Sequence, residues 1–107
     1  MMKPSFYLHP SSIMASRDDT VELTCGARGL PRPNITWNKD GIAFTDDSVT
    51  VIQSNFNESS ELIMRIISVS DRHVGHYYCL ATAFEAQVSS RDAILSLKGK
   101  YVDEFMI

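Results

Sequence analysis

Gly75-His76-Tyr77-Tyr78-Cys79-Leu80-Ala81 decides the fold of this 107-residue chain, read together with Cys25 and the lone Trp37 upstream. Tyr77, Cys79 and Ala81 alternate with Tyr78 and Leu80, so one side of an extended segment faces a core. In a short all-β chain, Cys, Trp and Cys at this spacing describe one disulfide between two sheets with an indole against it. The tyrosine two residues before the second cysteine adds a buried corner phenol. Taken alone, Cys25 and Cys79 are open to three states: a bridge, two buried thiols, or part of a metal site. Zinc sites show closely spaced cysteine pairs, and no second ligand stands near either cysteine. A bridge closing so long a loop would stabilise by roughly 4 kcal/mol and would persist in an oxidising compartment.

Upstream, Val21, Leu23 and Cys25 alternate with Glu22, Thr24 and Gly26, the period of a half-buried strand. Gly29 to Pro33 is turn chemistry. Ile35 and Trp37 then point inward, and Asn34, Thr36 and Asn38 outward, until Asp40-Gly41 closes the strand in a tight turn. Phe6-Tyr7-Leu8 stops at Pro10 and resumes at Ile13-Met14-Ala15, which predicts a first strand that breaks at the proline and changes sheets. Ile42 to Phe44 and Val49 to Ile52 are weaker strand signals, and Asn55 to Ser59 reads as a loop. Leu62, Met64 and Ile66 alternate again, Val69 to His73 crosses over, and Ala93, Leu95 and Leu97 form a last strand before Gly99. Seven or eight short strands at regular spacing predict an all-β, two-sheet antiparallel sandwich.

Composition narrows the function. Hydrophobic residues are 44%, charged residues 21%, and the net charge is −3, which suits one globular domain. No basic run offers the electrostatic footprint of nucleic-acid binding. No apolar stretch approaches the roughly 20 residues that cross a bilayer, so direct membrane insertion is not expected. Met1-Met2-Lys3-Pro4 is not followed by the apolar run of a signal peptide. Residues 1–3 read as an added start, 4–98 as the domain, and 99–107 as a linker or tail. The serines lie in turns or on strand faces without a Gly-x-Ser-x-Gly elbow, so no catalytic residues and no cofactor are expected. Asp71, His73 and His76 are the nearest thing to a metal cluster, but no helix aligns them. Asn34-Ile35-Thr36 and Asn57-Glu58-Ser59 are N-glycosylation acceptors by pattern, both placed outside by strand parity.

The chain resembles an immunoglobulin-like domain, most closely the intermediate (I-set) type, with the short constant-like set a close second. The resemblance rests on Gly29-Leu30-Pro31-Arg32-Pro33-Asn34-Ile35-Thr36-Trp37 followed by Asn38-Lys39-Asp40-Gly41. It rests equally on Met64, Ile66, Val69, Gly75, Tyr77, Cys79 and Ala81, and covers residues 4 to about 98. It implies a Cys25–Cys79 disulfide, with Trp37 and Tyr77 in the core. It further implies a non-catalytic module of a larger cell-surface or secreted protein, serving protein–protein recognition, adhesion or spacing. Its partners would be another extracellular protein and the neighbouring domains of its own chain. The alternative is an intracellular structural module of a muscle or cytoskeletal filament, with a cytoplasmic location.

Two departures from the family pattern stand out. His73 occupies a position usually held by aspartate, which predicts a charge-reversed pair with Asp46 or Asp47 and a histidine that titrates upward. An exposed, unpartnered histidine is the competing expectation. Ala83 and Ala86 replace the family's asparagine and glycine, leaving the shape of the Ala83-Phe84-Glu85-Ala86 loop open. Partner binding is expected on an outer face carrying Thr36, Asn38, Tyr78, Leu80 and Ile94, with Phe84 a second candidate at the loop tip. Ile52, Ile63 and Ile67 should point outward on the opposite face.

Overall fold

A computed structural model describes residues 2–98. Ten strands follow one another: β1 (Met2–Leu8), β2 (Ile13–Ala15), β3 (Val21–Leu30), β4 (Asn34–Lys39), β5 (Ile42–Ala43), β6 (Val49–Asn55), β7 (Ser59–Ile66), β8 (Gly75–Ala83), β9 (Ala86–Ser89) and β10 (Ala93–Leu97). One sheet runs β1-β3-β7-β6. The other runs β2-β10-β8-β4-β5, with β9 also paired to β8. The expected tail, 99–107 with Gly99, lies outside the described residues.

The expected break at Pro10 is present. β1 pairs antiparallel with β3 in one sheet, and β2 pairs parallel with β10 in the other. There are more strands than seven or eight because the last arm is interrupted at Ser90 and β5 is only two residues long. Ser90 bridges that interruption: its hydroxyl accepts the Cys79 N–H at 2.9 Å, and its own N–H donates to the Cys79 carbonyl at 2.9 Å. Buried backbone groups must be paired, and this serine keeps the ladder continuous. Asp40-Gly41 forms the tight turn between β4 and β5, with φ of 51° and 88° at its two residues. A two-residue hairpin turn needs positive φ at both, which aspartate tolerates and glycine adopts freely.

Alternation builds the core. β7 buries Ser60, Leu62, Met64 and Ile66, and β8 buries Tyr77, Cys79, Ala81 and Ala83. Cys25 of β3 and Cys79 of β8 are joined across the sheets. Trp37, opposite Cys79 on the neighbouring strand, lies in the same buried cluster. Its indole N–H has no acceptor among the described residues. Tyr77 places its hydroxyl 2.6 Å from the His73 carbonyl, so the expected corner phenol is there and donates to buried backbone. The crossing segment before β8 closes as a single 3-10 turn, Asp71–His73.

Candidate recognition face

The outer face of the β4-β8-β10 sheet is assembled by strand register. Asn34 pairs with Thr82, Thr36 with Leu80, and Asn38 with Tyr78 across β4 and β8. His76 pairs with Ile94, Leu80 with Ser89, and Thr82 with Gln87 on the other side of β8. Ile35, Trp37, Tyr77, Cys79 and Ala81 are buried between these positions, so the intervening residues turn away from the core. Thr36, Tyr78, Leu80 and Ile94, expected on one face, are therefore brought together. No outward position on β4, β8, β9 or β10 holds Lys, Arg, Asp or Glu. The other sheet differs: Glu22 and Arg65 pair across its outer face, and Tyr7 donates to Glu61 at 2.6 Å. Ile52 and Ile63 are cross-strand partners there, while Ile67 lies just past the end of β7 and is exposed.

Asn38 departs from expectation. It was expected as an accessible member of the face but is only 6% exposed. It sits between Tyr78 on one flanking strand and Ala43 on the other. Parity gives the direction of a side chain, not how far its neighbours shade it. Asn38 is a floor of this face rather than a contact point.

Phe84 is 71% exposed at the turn between β8 and β9, with φ of 54°. Left-handed backbone at a bulky residue is costly and signals an imposed turn. The loop left open by the sequence is thus a tight turn on Phe84 and Glu85. Phe84 borders an open apolar groove of about 440 Å³, lined also by Met2, Pro4, Leu30, Pro31 and Ala86. Sequence reasoning missed this groove, because it joins three distant segments at one end of the sandwich. Asn34 and Asn57 are both exposed, in line with strand parity.

At the opposite end, the His73 expectations fail. His73 is 2% exposed, so it is not a solvent-facing residue, and its ring nitrogens bond to Ser70 and Ser48 rather than to Asp46 or Asp47. Its Nδ1 accepts the Ser70 backbone N–H at 3.0 Å, and its Nε2 lies 2.9 Å from the Ser48 hydroxyl. That hydroxyl donates to Asp46 at 2.7 Å, so the carboxylate is reached only through the serine. Asp46 instead pairs with Arg72 at 3.1 Å. Burial holds the His73 imidazole below its ordinary value, against the pull of Asp46 and with the help of the Arg72 and Lys39 charges. The predicted upward titration is therefore reversed, because desolvation outweighs one indirect carboxylate. Asp46 is held low, first by its hydrogen bonds from Ser48.

The histidine loop does not gather a metal site. His73 is turned into the base, and His76 lies 3.9 Å from Asp92 on the outer face. Among the described residues, no group of three or more His, Cys, Asp or Glu side chains could hold a metal ion.

A family model described as Immunoglobulin domain matches residues 3–82. The Peroxidasin homolog of Mus musculus is 35% identical over 78 residues, covering 73% of this chain and 5% of its own length. Protein turtle of Drosophila melanogaster is 34% identical over 100 residues, covering 92% of this chain and 6% of its own. The crystal structure of the N-terminal Ig1-2 module of the Drosophila Receptor Protein Tyrosine Phosphatase DLAR superposes with a TM-score of 0.77 at 28% identity. That match covers 89% of this chain and 48% of that one. The chain thus spans a small fraction of each curated relative.

Proposed function

Because this chain belongs to the immunoglobulin domain family, we propose that it is a non-catalytic recognition module of a longer extracellular or cell-surface protein. Its outer β4-β8-β10 face is the surface that meets a protein partner. The observation that carries this reading is that the outward strand positions of that face hold no Lys, Arg, Asp or Glu, with Thr36, Tyr78, Leu80 and Ile94 side by side and Asp92 only at the rim beside His76. Interface cores are depleted in charge and enriched in tyrosine, because a charge must lose its hydration to be covered. These positions stand on hydrogen-bonded strands, so docking needs little ordering of the backbone. The DLAR structure, a receptor module in which two such domains stand in tandem, supports the placement in a multidomain receptor-like chain.

Asn34 and Asn57 are the proposed glycan acceptors, and Cys25–Cys79 the bridge that suits a secretory route. Asn34 stands in the row with Thr82 and Gln87, at the end of the face away from Ile94. A glycan there borders the contact zone and leaves Tyr78 and Ile94 open. Residues 99–107 are proposed to lie outside the functional unit, whereas Met2 and Lys3, expected as an added start, belong to strand β1.

The test is a tetramerised form of the domain applied to an array of extracellular protein ectodomains, this domain included. Leu80→Arg should weaken any captured interaction at least about ten-fold, equivalent to about 1.4 kcal/mol. Ile52→Arg on the opposite sheet should leave it unchanged. The reverse pattern would place the site on the other face. Intact mass of protein secreted from a eukaryotic host, with and without reductant, checks the compartment. Free thiols and bare asparagines would favour the intracellular filament module instead.

A further inference from the structure

The base of the sandwich holds a titratable group that the recognition face does not use. His73 is buried where the Asp71–His73 turn, the β5–β6 loop, the β4–β5 turn and β8 meet. Its two ring nitrogens have fixed and different roles. Nδ1 accepts from the Ser70 backbone N–H at 3.0 Å, so it carries no hydrogen. The proton is therefore on Nε2, which donates to the Ser48 hydroxyl at 2.9 Å, and that hydroxyl donates to Asp46 at 2.7 Å. This relay ties the turn to the β5–β6 loop and admits the neutral imidazole alone.

Adding a proton at Nδ1 sets two N–H donors against each other. The Ser70 N–H loses its acceptor, and among the described residues the acceptor left at Nδ1 is the Ser70 hydroxyl, 3.4 Å away. The charged groups around the ring do not offset this. Arg72 and Lys39 are cations that face it, and Lys39 donates to the Arg72 carbonyl at 2.5 Å. Asp46 is the carboxylate acting on it, and it already accepts the Ser48 N–H at 2.8 Å, the Ser48 hydroxyl and the Arg72 guanidinium. Asp40, across the β4–β5 turn, accepts the His76 N–H at 2.9 Å. Tyr77, from β8, donates to the His73 carbonyl and stays neutral.

We propose that His73 is an acid-sensitive latch, whose proton uptake releases the Asp71–His73 turn and the β5–β6 loop from the base of the sandwich. The domain then holds its full stability at neutral pH and loosens at this end in an acidic compartment. The sign follows from linkage. Burial lowers the folded value below the ordinary imidazole value of about 6.5, so the unfolded chain takes the proton first. Stability from this group is complete above about pH 6.5 and declines as pH falls through that value toward the folded one.

The experiment is thermal unfolding of the full chain from about pH 8 to about pH 5, an interval spanning the ordinary imidazole value. Wild type is compared with His73→Asn and His73→Gln, and with His9→Gln and His76→Gln as controls. His73→Asn keeps an acceptor for the Ser70 N–H and removes the titration. The wild type and both controls should lose more melting temperature on acidification than the His73 variants. Equal losses in all five proteins, or an excess that vanishes in a control, would overturn the proposal. NMR titration of the wild-type His73 ring decides the matter even if the variants fail to fold. A titration midpoint at or above about 6.5 refutes the latch, and a lower one supports it.

Discussion

Removing one oxygen atom, in Tyr77→Phe, gives the sharpest test of how this sandwich holds its lower end. The Tyr77 hydroxyl is buried and donates to the His73 carbonyl at 2.6 Å, while its ring meets Phe44 edge-on with centroids 5.4 Å apart. Phenylalanine keeps the ring packing and deletes the donor. A made hydrogen bond contributes only about 0.5–1.5 kcal/mol net, but a buried carbonyl left without its partner costs about 1–3 kcal/mol. The expected loss is therefore about 2 kcal/mol, a large share of the roughly 5–15 kcal/mol available to a domain of this size. In urea, where the slope for small domains is about 1–3 kcal/mol per molar, the midpoint should fall by about 0.7–2 M. Tyr78→Phe is the control, since that side chain turns to the outer face; it should stay within about 0.5 kcal/mol. Burial raises the Tyr77 phenol well above its ordinary value, with the Asp40 and Asp46 charges adding to it, so the phenol remains a donor across the folded range. The gap between the two variants should then be the same at about pH 7 and about pH 9, both below the ordinary phenol value of about 10. A Tyr77→Phe loss under about 0.5 kcal/mol, or one matched by Tyr78→Phe, would refute the argument.

Reducing the Cys25–Cys79 bridge frees a loop with a sequence separation of 54, and chain entropy alone predicts a loss of about 4 kcal/mol, read from urea curves with and without reductant. A loss below about 1 kcal/mol would mean that the unfolded chain is already constrained. Gly26→Ala should displace the Tyr7 ring, because a Cβ there would meet its Cζ at 2.7 Å. The cost is the Tyr7–Glu61 bond and the Arg28 contact over the ring; in a Tyr7→Ala background the same substitution should be neutral or slightly stabilising, a coupling of about 1–2 kcal/mol in a double-mutant cycle. Phe84→Gly should raise the melting temperature, since glycine relieves left-handed backbone by about 1 kcal/mol, while weakening any interaction that uses the hairpin tip. A drop in stability would show that Phe84 contributes folding contacts its exposure does not suggest.

How much of this was legible in the sequence depends on the range of the interaction. Alternation around Cys25, Trp37 and Cys79 gave both sheets and most of the core, because a period of two is local and burial enforces it. Pro10 marked the sheet switch for the same local reason: a residue without an N–H interrupts a ladder. Asn38 is buried against its outward parity because it has cross-strand neighbours on both sides, Tyr78 and Ala43, and shading by neighbours is something no periodicity reports. His73 was misjudged because a charge pattern suggests pairs, whereas the outcome turned on Ser48 intervening and on the depth of the ring. The apolar groove beside Phe84 was out of reach altogether, since Met2, Pro31 and Ala86 meet only through the finished fold.

One strand has a consequence for the protein in concentrated solution. Among the described residues β6 ends its sheet, so one side of its backbone has no strand paired to it there. Across Val49–Asn55 it holds no proline and no formal charge, and Val51 and Ile52 are exposed along it. The other edge of that sheet is guarded: β1 carries Lys3 and Pro4, and its register slips twice. Bare edges of this kind recruit further copies of themselves, and flanking acids act as gatekeepers. Asp46 and Asp47 stand before the strand and Glu58 beyond it, and their carboxylate charge is expected to oppose edge-to-edge pairing. It should fade as acid or salt neutralises or screens those groups, and a sugar on Asn57, two residues past the strand, would shield the same edge. Unglycosylated preparations should therefore cloud first, starting from this strand.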